Sequence, residues 1–170
     1  MFIFTRSRQL MDFNAPHLYD YTLNEVAQCL YRLTRFSGHR EITVLEHTMW
    51  MYDKATAMVL DPSTKLAILL HDAPEAFTGD ITAPIQAYLG DEARKQLHLL
   101  QERIMRALVG KCLPMPYENI FHETAVKLMK HLDNMALWEE SLQHYDVTLR
   151  TPDEWVSAIE REMDSYFDVT

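Results

Sequence analysis

At 170 residues with 48% hydrophobic content, the chain is long enough for one full-sized core and short for two, so a single domain spanning residues 1–170 is expected. A formal net charge of −9 and the lack of any Lys/Arg run argue against a nucleic-acid stripe, so no duplex nucleic acid is expected as a partner. A small anionic substrate stays open, because one or two local cations outweigh distant charge beyond a Debye length of about 8 Å.

Cys29 and Cys112 stand apart in apolar helical patterns, which suggests neither a disulfide framework nor a cysteine zinc site and fits reduced, cytoplasmic surroundings. Met1 to Leu10 holds two Arg but no apolar stretch of signal-peptide length. No segment approaches roughly 18 continuous apolar residues, so no membrane association is expected.

Taken in order, Met1 to Tyr21 has little periodicity and reads as an irregular lead-in over residues 1–21. Thr22 and Glu25 form a capping-box signal, with Val26, Leu30 and Leu33 on one face of a helix to about Arg35, ended by Ser37-Gly38. Thr43 with Glu46 opens a second helix to about Leu60 and puts His47 near its start. Asp61-Pro62 opens a third, with Asp as N-cap and Pro in the first turn. This helix is apolar almost all round through Leu66 to Leu70, and then His71-Asp72 closes it. Pro74 should end or kink it there. Glu75 shares a face with the pair through i+4 and i+3 spacing.

Thr78-Gly79-Asp80 reads as a turn and Pro84 as part of a short connector. A long helix from about Asp91 to Val109 is expected to bury Leu97, Leu100, Ile104 and Leu108. After Pro114 and Pro116, a helix from Glu123 to about His144 should turn Val126, Met129, Leu132 and Ala136 inward, with Asp133 beside them. Thr151-Pro152-Asp153-Glu154 starts a last helix carrying Trp155, Ile159, Met163 and Tyr166. The period throughout is helical, so the fold class is all-α.

Three helices thus supply His47, His71 with Asp72, and Asp133 at or near core positions. An imidazole and a carboxylate at the end of a buried helix need partners, and a divalent metal satisfies both. Mixed nitrogen and oxygen donors suit Zn, Mn, Co or Fe(II) better than calcium.

Arg35-Phe36-Ser37-Gly38-His39, then Glu46-His47, then Leu70-His71-Asp72-Ala73-Pro74-Glu75-Ala76-Phe77-Thr78-Gly79-Asp80, with Asp133-Asn134-Met135-Ala136 downstream, resembles the HD phosphohydrolase superfamily. The likeness is to the branch of bacterial 5'-deoxynucleotidases and phage-type dNTP (dATP) triphosphohydrolases, and it covers roughly Thr22 to Leu142. The resemblance implies a compact HD-domain bundle, with the core at residues 22–145 and a C-terminal helix at 151–167. It implies His47, His71, Asp72 and Asp133 as ligands of one or more divalent ions, Zn, Co, Mn or Mg. It further implies a metal-dependent deoxynucleotide phosphohydrolase, acting on dNMPs or dNTPs, in which an activated water attacks phosphorus.

Glu75 would then orient or deprotonate that water or protonate the leaving oxygen, and Asp80 would hold the same network from the turn. Arg35 would clamp phosphate through paired guanidinium donors, Phe36 would stack on or block the base or sugar, and His39 would contact phosphate or cap the preceding helix. Sequences of this branch usually carry Lys after the proline-apolar pair, where Pro84-Ile85 is followed here by Gln86. Lys127 and Lys130 are candidate substitutes, although solvated lysines are the favoured reading. A homo-oligomer, dimer or larger, is expected, in the cytoplasm, or that of the host if the chain is phage-encoded. The alternative from another class is a non-catalytic helical nucleotide-binding or interaction protein that keeps the fold.

Overall fold

A computed structural model describes residues 1–142 and 150–169, and His144 lies outside them. The N-terminal segment is ordered rather than irregular: β1 (Phe2–Phe4) pairs antiparallel with β2 (Leu10–Asp12), placing Ile3 opposite Met11. Met11 is fully buried and Ile3 half-buried, so the hairpin turns one face onto the helices. An alternation of three residues per strand is too short to stand out in the sequence. A 3-10 turn at Pro16–Leu18 follows.

Helix α1 (Leu23–Leu30) stops earlier than the expected Arg35. The reason is long-range pairing. Thr34 and Thr43 form an antiparallel bridge, flanked by Val44 N–H to the Leu33 carbonyl and Arg35 N–H to the Ile42 carbonyl, both at 2.8 Å. The chain from Arg35 to Ile42 is thereby closed into a loop at the mouth of the later site. Its capping box is also only half made: Thr22 Oγ1 accepts from the Glu25 N–H, while the Glu25 carboxylate turns away to the Ser7 N–H and the Tyr19 hydroxyl. In α2 (Val44–Ala57) the box is complete, with Thr43 and Glu46 exchanging both bonds.

Helix α3 (Pro62–Leu70) begins on Asp61, whose carboxylate accepts from the Thr64 N–H at 3.0 Å. Leu66 through Leu70 are all fully buried, as the continuous apolar run requires. Against partial burial, hydrogen bonds from Ser63 and Thr64 hold the Asp61 carboxyl below its ordinary range. Asp61→Ala is expected to cost about 1–2 kcal/mol, seen as a lower urea midpoint at unchanged slope. The difference from wild type is present above about pH 4 and vanishes as pH falls through the lowered Asp61 pKa.

Beyond the His71-Asp72 break come α4 (Glu75–Thr78), α5 (Ala83–Leu89) and α6 (Asp91–Cys112). Only the second half of α6 reaches the core, through Ile104, Met105, Leu108 and Val109. Leu97 and Leu100 are half-buried: Leu100 packs against the edge of the core, while Leu97 does not, and α6 also packs against α5, which has no buried residue of its own. Helices α7 (Tyr117–Ile120), α8 (Glu123–Ser141) and α9 (Pro152–Val169) complete the described chain. The fold is all-α with one minor hairpin.

Helix α3 is the centre, packed against α2, α8 and α9. Trp155 of α9 is fully buried and donates its indole N–H to the Leu69 carbonyl at 3.0 Å. Among the described residues no helix is long and apolar enough to cross a membrane.

Candidate metal centre

The start of α2, the end of α3 and the middle of α8 meet at one point. Helix α2 brings His47, the C-terminal cap of α3 is His71 with Asp72 next to it, and α8 brings Asp133. His47 is fully buried; its Nδ1 lies 2.7 Å from Glu140 Oε1, and its Nε2 lies 3.3 Å from Asp133 Oδ1 and 3.7 Å from Asp72 Oδ2. His71 Nδ1 is 2.7 Å from the Ile68 carbonyl, which can only accept, so hydrogen sits on Nδ1. Its Nε2 faces Asp72 Oδ2 at 3.1 Å.

Both Nε2 atoms are buried without a hydrogen-bond partner. In each ring the other nitrogen is engaged by an oxygen acceptor, the arrangement that fixes an imidazole for metal ligation. Ligand atoms of His47, His71 and Asp133 all lie within 4.8 Å of one another, so this group has the donors and the spacing to hold a metal ion.

The charges are strongly perturbed. Burial works against a charged His71, yet the adjacent Asp72 carboxylate and Asp133 push its pKa up to about 9. Burial likewise opposes ionisation of Asp72, but His71 first, then His47 and Arg35, hold it well below the usual carboxylate range. Burial also works against an ionised Asp133, but His47 and His71 beside it hold it low. Glu75 goes the other way: burial, reinforced by Asp72 and Asp80, pushes its pKa up to about 10.

The folded state therefore keeps a proton on Glu75 that the unfolded chain releases above its ordinary value of 4.5, and stability falls as pH rises from there toward about 10. Glu75→Gln removes this burden. In metal-free protein it should raise Tm by roughly 2–8 °C at mildly alkaline pH and by less near the ordinary carboxylate pKa. Calorimetry at the two pH values checks both the sign and the trend.

A cavity of about 880 Å³ opens beside the cluster, lined by Arg35, Phe36, His39, Asp72, Glu75, Asp80, Gln86 and Asp133 among others. Every residue expected at the site from the sequence lines this cavity or belongs to the cluster. Phe36 and Ser37 both have left-handed backbone, φ 56° and 54°, an uncommon conformation for side chains of their kind and one found where a functional loop is held under strain. Burial pushes the Asp80 carboxyl above its ordinary range while Arg35 draws it down, and Asp80 lines the same cavity as Phe36. Gln86 donates to the Ile81 carbonyl at 2.6 Å, and Lys127 pairs with Glu123 on the exposed face of α8. Neither Lys127 nor Lys130 lines the cavity.

Sequence reasoning missed Glu140. It is fully buried, with Oε1 on His47 Nδ1 and Oε2 accepting from Arg35 Nε at 3.0 Å. A signal existed: Glu140 follows Asp133 by seven residues and Ala136 by four, so it shares their inward face. His122 links the starts of two helices. It caps α8 through the Ala125 N–H and meets Ser63 of α3 at 3.0 Å.

Comparison of the chain with family models and with curated proteins finds no match.

Proposed function

We propose that this protein is a divalent-metal-dependent phosphohydrolase of deoxynucleotides, with the HD arrangement that its motifs resemble. The observation that carries the proposal is the pair of orphaned, inward-facing Nε2 atoms on His47 and His71 beside the Asp133 and Asp72 carboxylates. In this reading His47, His71, Asp133 and Asp72 hold the ion, and Zn, Co, Mn or Mg are the candidates. Bound there, a dipositive ion would supply Lewis acidity toward a phosphate oxygen and lower the pKa of water toward about 7.

The protein's own groups do the rest. Arg35 carries a fixed positive charge to the cavity wall, with Nη1 3.7 Å from Asp72 Oδ2, and binds the phosphate. Glu75, protonated by its surroundings and lining the same cavity, keeps a proton available for the leaving oxygen. Phe36 offers an apolar face to the base or sugar, and Asp80 lines the same cavity beside it. Exposed Met135, Trp138 and Leu142 on and just beyond α8 support self-association as a homo-oligomer.

The test is a panel of dNMPs and dNTPs with each candidate ion, measuring orthophosphate and triphosphate separately. Release of either product supports the reading and tells a nucleotidase from a triphosphohydrolase. Tight nucleotide binding without turnover for any metal would instead make this a non-catalytic nucleotide-binding protein.

A further inference from the structure

Glu140 meets two nitrogen groups that come from different parts of the fold. His47 Nδ1, on α2, lies 2.7 Å from Oε1, and Arg35 Nε, in the loop before α2, donates to Oε2 at 3.0 Å. The side chain is fully buried, so no solvent competes for either oxygen. The two donors differ in one respect. Arginine keeps all its N–H hydrogens, whereas a neutral imidazole can carry its hydrogen on either nitrogen.

We infer that Glu140 is a positioning residue that couples the two halves of the site, fixing hydrogen on His47 Nδ1 so that Nε2 faces the metal position while it aims Arg35 at the cavity. This rests on the metal-centre reading above. Only a carboxylate, with an acceptor at each end, satisfies both neighbours together. The inference also gives a reason for an acid buried seven residues beyond Asp133, at a position that contributes no ligand atom to the cluster.

An amide separates this role from mere packing, because Gln has nearly the same shape but one acceptor and one donor end. In Glu140→Gln, Arg35 cannot give up its hydrogen, so the amide oxygen turns to Arg35 and the NH2 group turns to His47. Nδ1 must then accept, and the ring hydrogen moves to Nε2, the atom needed for the metal. Removing Arg35 as well, in Glu140→Gln/Arg35→Met, frees the amide oxygen to turn back to His47.

Two readouts test this without using turnover. Long-range 1H–15N spectra of metal-free protein in mildly alkaline buffer show which nitrogen of His47 carries hydrogen, and chelator competition with Zn measures affinity. Glu140→Gln should move the hydrogen to Nε2 and weaken Zn binding by roughly tenfold to a hundredfold, while the double variant returns both toward wild type. An unchanged His47 tautomer in Glu140→Gln, or a double variant weaker than Glu140→Gln, would overturn the inference. Should wild-type protein bind no divalent ion, the metal reading falls, and the tautomer measurement still decides the role of Glu140.

Discussion

Replacing His71 with Ala is expected to lower divalent-metal affinity at least a hundredfold, about 2.7 kcal/mol, and to abolish measurable hydrolysis. The imidazole supplies one of only two nitrogen donors in the cluster, and its Nδ1 contact with the Ile68 carbonyl aims it. The fold should survive the change. His71 is the C-cap of α3 and lies beyond the fully buried Leu66–Leu70 run. Thermal unfolding with and without added Zn distinguishes the cases: wild type gains stability from the ion in proportion to the logarithm of its concentration, and the variant does not. An equal gain in both proteins would remove His71 from the ligand set.

Glu75→Gln carries the second large effect. Turnover should fall by roughly 10²–10⁴-fold, the span of general acid–base catalysis, with metal affinity unchanged. Gln keeps the shape but has no acidic proton for a leaving oxygen. The same substitution is expected to stabilise metal-free protein at mildly alkaline pH, because Gln has no charge to bury where burial and the neighbouring Asp72 and Asp80 oppose an ionised Glu75. Lower activity with higher stability is the mark of a residue kept for chemistry at a cost to the fold. Equal losses of activity and stability would make Glu75 a packing residue.

What could be read in the sequence was local. The Asp61-Pro62 start of α3, the Thr43/Glu46 box and the Thr151/Glu154 box all lie within four residues, and each is present with the expected bonds. The break at His71-Asp72-Ala73-Pro74 follows from the missing N–H of Pro74 and is also present. The early end of α1 was not legible, because the competing Thr34–Thr43 bridge pairs residues across a loop. Glu25 was assigned to its cap by spacing but bonds to Ser7 and Tyr19 of the N-terminal segment, which had shown no pattern.

The site divides the same way. Periodicity sets His47, His71 and Asp133 at or near core positions, but their convergence is expected only through the family resemblance. The structure brings them together directly. Glu140 carries only a weak signal: its spacing from Asp133 and Ala136 puts it on their inward face, but its partners stand 93 and 105 residues away, and a lone Glu near a helix end reads as a solvated charge. Asp80 is expected to act from its turn, and it lines the same cavity as Arg35 and Glu75.

The most direct measurement is hydrolysis of deoxynucleoside 5'-phosphates and triphosphates by protein stripped with a chelator and then resupplied with Zn, Co, Mn or Mg. Stripped protein should be inactive, and at least one ion should restore turnover in wild type but not in His71→Ala. Turnover that persists in the stripped protein, or no turnover with any of the four ions, would contradict a metal-dependent phosphohydrolase.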